Sequence, residues 1–134
     1  MAIAWTPDLA VGVELIDEQH KELFKRINDL FEACNQGKGK EAVAETIDFL
    51  EDYVVVHFTD EQALMRRHRY PQYESHKALH DGFVESLKQL KEHLDTEGPG
   101  LTLVLKTNRI VVQWLTGHIR RVDTQFAKFL HDQE

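Results

Sequence analysis

The stretch KEAVAETIDFLEDYVVVHFTDEQALMR, residues 40–66, keeps one side-chain rhythm along its whole length. Val43, Ile47, Leu50, Val54, His57, Glu61 and Leu64 follow one another in steps of 4, 3, 4, 3, 4 and 3. A helix turns once per ~3.6 residues, so these positions form a single unbroken seam, which the every-second-residue alternation of a strand does not produce. The seam is apolar except at His57 and Glu61. A polar group inside a core costs free energy unless something pairs with it. The stretch therefore predicts a long core-facing helix, and two of its core members need partners from elsewhere.

Working outward, the neighbouring segments repeat the rhythm. From Ile16 to about Gln36 the apolar positions are Ile16, Leu23, Phe24, Ile27, Leu30, Phe31 and Cys34, with His20 in phase among them. Gly37-Lys38-Gly39 ends that segment, as glycine after a periodic run does. Arg67-His68-Arg69-Tyr70-Pro71 reads as a turn with proline near the start of the next helix. From about Gln72 to Asp95 the stripe is Tyr73, His76, His80, Phe83, Leu87, Leu90 and Leu94, and Gly98-Pro99-Gly100 breaks it. From about Thr102 to His131 it is Val111, Leu115, His118, Ile119, Val122, Phe126 and Phe129. On a regular helix His118 and Asp123 stand about 140° apart, at opposite edges of this last apolar face. They are expected to reach different sides of a shared site. Residues 1–15 read as an extended arm, with Trp5 packed across a bundle face. The connections are short, so consecutive helices should run antiparallel. The fold expected is all-α: one domain over residues 1–134, an up-down-up-down four-helix bundle with an N-terminal arm.

Composition narrows the function. The 134 residues suit a single core, and the formal charge of −7 argues against nucleic acid and anionic membrane surfaces as partners. Met1 to Val13 lacks the apolar run of a signal peptide and carries Asp8, and no later stretch is long enough to span a bilayer, so no membrane insertion is expected. Cys34 is the single cysteine, which excludes an internal disulfide and suits a reducing, cytoplasmic location. It reads as a small apolar side chain. There is no His-Glu-x-x-His motif, no glycine-rich phosphate loop and no paired-cysteine motif. With charged outer faces such as Lys88-Gln89-Leu90-Lys91-Glu92, a monomer is expected.

The histidines carry the chemistry. His76 and His80 lie about 6 Å apart along one helix face, a spacing that suits one metal ion. His57 and Glu61 form a second such pair. His20 and His118 add one imidazole from each of the other two helices, and Asp123 adds a carboxylate. His68, His93 and His131 fall in a turn, off the stripe and beside the C-terminus, and are expected at the surface. Burying five unpartnered imidazoles would cost about 1–3 kcal/mol each, a large share of a domain's stability. Two lone buried carboxylates would add to that. A cation among them removes the difficulty. Seven ligands are too many for one zinc, which takes four. If both carboxylates bridge two octahedral ions, the protein supplies nine donor contacts, a bridging solvent oxygen brings eleven, and one of twelve positions stays open. Imidazole and carboxylate ligands around an open position suit iron and oxygen chemistry.

These residues also resemble a known family. Trp5, Val11-Gly12-Val13, Ile16-Asp17-x-Gln19-His20-Lys21, His57-Phe58-x-x-Glu61, His76-x-x-x-His80 and His118-Ile119-x-x-x-Asp123 together look like a hemerythrin of the bacterial single-domain kind, nearly end to end. The resemblance implies two iron ions, Fe2+ or Fe3+, with a bridging oxo or hydroxo group and O2 as ligand. It implies that His76, His80 and His118 hold one iron and that His20 and His57 hold the other, which keeps the open position. Glu61 and Asp123 would bridge. Phe58, Leu115 and Ile119, placed near by helical phase, would form the oxygen pocket. Oxygen-activating di-iron bundles carry Glu-x-x-His motifs, and this sequence has none. The expectation is therefore reversible O2 binding for storage, transport or delivery to an oxygen-using enzyme, with no catalytic residues. An oxygen or redox sensor, or a di-iron oxidase or peroxidase, are the alternatives.

Overall fold

A computed structural model describes residues 4–133. Its helices are α1 (Glu14–Asn35), α2 (Gly39–Arg67), α3 (Tyr73–Glu97), α4 (Leu101–His118) and α5 (Thr124–Asp132). A π turn over Ile119–Asp123 joins α4 to α5, so the last two helices make one interrupted rod. There is no strand among the described residues. The expected four-helix bundle is what forms, with each helix within about two residues of its sequence bounds.

Local chemistry explains where the helices stop. Gly37 adopts φ +76°, Lys38 N–H donates to the Ala33 carbonyl at 2.7 Å, and Gly37 N–H donates to the Cys34 carbonyl at 3.1 Å. This pair of bonds satisfies carbonyls that the end of α1 would otherwise leave unpaired. The end of α2 repeats the device with Arg69 at φ 55°, where Tyr70 N–H bonds the Met65 carbonyl at 2.9 Å. Holding a residue with a Cβ in that region costs roughly 1–2 kcal/mol. The tight reversal it produces aims α3 back along α2.

The arm is shorter than expected, because α1 already starts at Glu14; residues 1–3 of the expected arm and Glu134 of the expected domain lie outside the described residues. Asp17 ties the arm down. Its Oδ1 accepts the Val11 N–H at 2.8 Å and its Oδ2 accepts the Gly12 N–H at 3.3 Å. Trp5 packs on the main core as expected, with Lys21 Nζ 4.6 Å from its ring.

One large apolar cluster is shared by the long helices and reaches the histidines at Phe58. It joins Ile27 and Leu30 of α1, Ile47 and Leu50 of α2, Leu87 and Leu90 of α3, and Leu103 and Val111 of α4. The α2 seam holds from Val43 to Glu61, then departs from expectation at its last step. Met65 is fully buried and Leu64 only half-buried, because the seam drifts around a 3.6-residue helix and by its last turn has rotated onto the flank.

Leu87 is 1 % exposed at the centre of this cluster, so Leu87→Ala should lower unfolding free energy by about 2–5 kcal/mol in a urea titration.

Candidate metal centre

Every side chain the sequence singles out as a ligand is buried. His20, His57, Glu61, His76, His80, His118 and Asp123 are all between 0 and 6 % exposed and converge at one level of the bundle. α1 supplies His20, α2 supplies His57 and Glu61, α3 supplies His76 and His80, and α4 with its π turn supplies His118 and Asp123.

The π turn corrects the expected placement of Asp123. A π turn bonds residue i to i+5, as the Thr124 N–H does here to the Ile119 carbonyl. The wider turn carries Asp123 back over His118. Their Oδ1 and Nε2 atoms come within 2.9 Å, so the two residues share a side of the site rather than standing on opposite edges.

The donor atoms divide into two groups that share both carboxylates. Glu61, His76, His80, His118 and Asp123 form one; His20, His57, Glu61 and Asp123 form the other. Glu61 Oε1 lies 2.9 Å from His76 Nε2 and 3.2 Å from His80 Nε2, and Oε2 faces His20 and His57 at 4.0 and 3.9 Å. Asp123 Oδ1 lies 3.0 Å from His76 Nε2, and Oδ2 lies 3.1 Å from His20 Nε2. Each carboxylate thus turns one oxygen to each group. None of these four oxygens has a partner in hydrogen-bonding geometry, although all are buried. The Nε2 atoms stand 3.1 Å apart in the pairs His20–His57, His76–His118 and His80–His118. Donors around an ion with bonds of about 2.1 Å are ~3.0 Å apart in an octahedron and ~3.4 Å apart in a tetrahedron. The three Nε2 pairs fit the closer of these spacings, and each group of donors could hold a cation.

Residues 11–130 match the family model described as the hemerythrin HHE cation binding domain. The chain is 32% identical over 125 residues to a bacteriohemerythrin of Pseudomonas aeruginosa, covering 93% of this chain and 79% of that one. It is 33% identical over 122 residues to the myohemerythrin of Theromyzon tessulatum, covering 91% of this chain and 88% of that one. A crystal structure of wild-type hemerythrin superposes with a TM-score of 0.82 at 29% identity, covering 96% and 97%.

The chain belongs to the hemerythrin family.

Hemerythrins bind O2 at a non-haem pair of irons, and the buried donor cluster is compatible with such a pair. No described helix is long and apolar enough to cross a membrane. Two side chains around this hemerythrin site were not singled out as functional from the sequence. Gln19 Oε1 accepts the Nδ1–H of His57 at 2.7 Å, while Gln19 Nε2 donates to Asp60 Oδ2 at 2.8 Å. Gln62 Oε1 accepts the Nδ1–H of His80 at 2.9 Å. Each bond puts the ring proton on Nδ1 and leaves Nε2 free to face the cluster. The available signal was position: Gln19 precedes His20 and Gln62 follows Glu61, each one residue from a core polar group. Phe58 lies face to face on His80, 3.8 Å between centroids, and tilts against His57 at 5.6 Å. Leu115 and Ile119 are buried in the same core cluster as Phe58. Of the remaining histidines, His131 is exposed, while His68 and His93 are half-buried and bonded at the surface to Gln133 and Glu97.

Electrostatics divides the hemerythrin histidines. Burial works against a charge on His76, but the carboxylates of Asp123 and Glu61 outweigh it and raise its pKa to about 9. His20 is raised too, with burial again opposed by Asp123 and Glu61. Burial dominates at His57, which falls to about 4, and at His80, which is also lowered. Burial and Asp123 push Glu61 up, yet the facing imidazoles hold it down at about 2. Asp123 is lowered well below the usual carboxylate range: burial opposes this, and His118, His20 and His76 overcome it.

A pH prediction follows for the metal-free chain. His76 binds its proton more tightly folded, at about 9, than at its ordinary 6.5, so its contribution to stability is complete below pH 6.5 and is lost as pH rises through 9. Its melting temperature should fall between pH 7 and 9. A cation taking His76 Nε2 must displace that proton, so loading at pH 7 should release protons. Calorimetry in buffers of different ionisation enthalpy measures the release.

Proposed function

We propose that this chain binds O2 reversibly at two iron ions held by its seven buried polar side chains. The supporting observation is that both carboxylates turn one oxygen to each of two donor groups. His76, His80 and His118 would hold one iron, His20 and His57 would hold the other, and Glu61 and Asp123 would be shared between them. The group with two imidazoles would leave room for O2. Bound iron supplies the two electrons that O2 takes up reversibly. The chain does the rest. Gln19 and Gln62 hold His57 and His80 with Nε2 turned inward. Phe58, Leu115 and Ile119, between 1 and 4 % exposed, form a dry wall beside the O2 position. Water and anions are kept from it, and charge separation is disfavoured there.

The role is oxygen storage, transport or delivery to an oxygen-using enzyme in the cytoplasm, without substrate turnover. The donor set favours binding over activation. It is rich in neutral imidazole, which stabilises high-valent iron less than carboxylate does.

Purified chain should contain two irons, and its reduced form should gain and lose an oxygenated absorption band as O2 and argon alternate. Replacing any one of His20, His57, His76, His80 or His118 by alanine should reduce the iron content. Alanine at His68, His93 or His131 should not. One iron per chain after careful reconstitution, or stoichiometric zinc, would overturn this reading.

The wall makes a separate prediction. Leu115→Ala should still bind O2 but lose the oxygenated band about tenfold faster, equivalent to ~1.4 kcal/mol off the barrier. Azide should also reach its ferric form more readily. Leu87→Ala should lose stability without either change. An unchanged autoxidation rate in Leu115→Ala would make Leu115 a packing residue only.

A further inference from the structure

The metal centre has no direct contact with solvent, yet one of its histidines borders an open groove. A cavity of about 650 Å3 lies between α3 and α4. That is within the ~300–1,000 Å3 range of small-molecule sites. Leu79 and Gly82 of α3, Ile110, Trp114 and His118 of α4, and Arg121 of the π turn line it. Three features separate it from a mere packing defect.

The first is a continuous stack of rings. Trp114, half-buried, lies 4.2 Å from His118 at an interplanar angle of 11° and 4.1 Å from Phe83 at 18°. His118 Nε2 in turn faces Asp123 and the other imidazoles. The second is charge. Arg121 Nη2 folds back to 3.1 Å from where a side chain on Gly117 would begin, and Arg121 has no ion pair among the described residues. On a chain of net charge −7, this leaves an unpaired cation beside apolar walls. The third is vacant space. Nothing stands within 4 Å of where a Gly82 Cβ would be, and Leu79 is 45 % exposed.

We propose that this groove admits electrons to the metal centre. It is a docking site for a planar aromatic two-electron carrier that bears a negative charge, the chemistry of a reduced flavin nucleotide or a sulfonated hydroquinone. The proposal rests on the two-iron reading above. The half-buried Trp114 and the exposed Leu79 that line the groove suit a flat apolar ring, and Arg121 suits its anion. Among the ligands His118 lines the groove, so a carrier seated there lies against a ring that reaches the donor cluster, while the rest of the cluster is sealed. In the step, the carrier's dihydro form loses two electrons and two protons. The electrons would pass one at a time by way of Trp114 and His118, reducing two ferric ions to ferrous where the donor cluster holds them. The protons leave to solvent from the groove, and the carrier departs oxidised.

Gly82→Trp tests this by filling the groove from a position outside the metal site. Oxidised FMN and 1,4-naphthoquinone-2-sulfonate are titrated calorimetrically into metal-free and iron-loaded protein. Anaerobic stopped flow then follows reduction of the ferric form by each reduced carrier. Gly82→Trp should weaken binding and slow reduction on the order of tenfold, with O2 binding and melting temperature unchanged. Arg121→Gln should weaken binding of the same carrier. The carrier whose binding and rate respond to both variants identifies the source. Absence of binding to the wild type, or a reduction rate indifferent to Gly82→Trp, overturns the proposal, and the latter result points to a protein reductant elsewhere on the surface. Binding to metal-free protein stands apart from iron content, so failure of the two-iron reading would show separately.

Discussion

Two carboxylates buried among five imidazoles are the constraint on which the rest depends. Glu61 and Asp123 are 0 % exposed, and their four oxygens lack hydrogen-bond partners in a core of leucine, isoleucine and phenylalanine. Isolated charges in such surroundings are very costly, and they are tolerated only beside opposite charge. Here the surrounding histidines are themselves divided. His76 and His20 are pushed towards the protonated form, and His57 and His80 towards the neutral one. Without a cation, protons on some imidazoles serve the carboxylates. With one in each donor group, every Nε2 can be neutral and every carboxylate oxygen occupied. The cluster is therefore one coupled unit of protons and cations.

Folding and ligation share one core. The apolar cluster around Ile47, Leu50, Leu87 and Leu90 continues through Phe58 to the donor cluster. Around the donors, rigidity comes from helices rather than loops, and Gln19 and Gln62 set the orientation of two rings. The π turn is the one irregular element there. It gives up regular α geometry over five residues, and Asp123 joins the same donor group as His118. Irregular turns of this kind inside helices recur at functional sites for this reason.

The surroundings of the donor cluster are uneven. Phe58, Leu115 and Ile119 are sealed in the core, whereas His118 continues through Trp114 to a groove with a guanidinium beside it. Under the proposals above, O2 and electrons would reach the centre by different routes.

Much of this was legible in the sequence. Periodicity alone placed the helices, because burial of one face demands the 3.6-residue repeat, and glycines at 37 and 98 marked two of the ends. The same periodicity placed all five histidines and Glu61 in the core, since a polar residue in phase with an apolar seam must point inward. Three things could not be read that way. Met65 replaced Leu64 at the end of the seam because helical drift accumulates over six turns. Asp123 joined His118 on one side of the site because the chain widens into a π turn, and ideal 100° spacing cannot foresee a departure from itself. The links from Gln19 to His57 and from Gln62 to His80 join residues distant in the chain. Sequence determines which side chains a helix turns inward. Only the packing of one helix against another decides which inward-facing atoms meet, and at what distance.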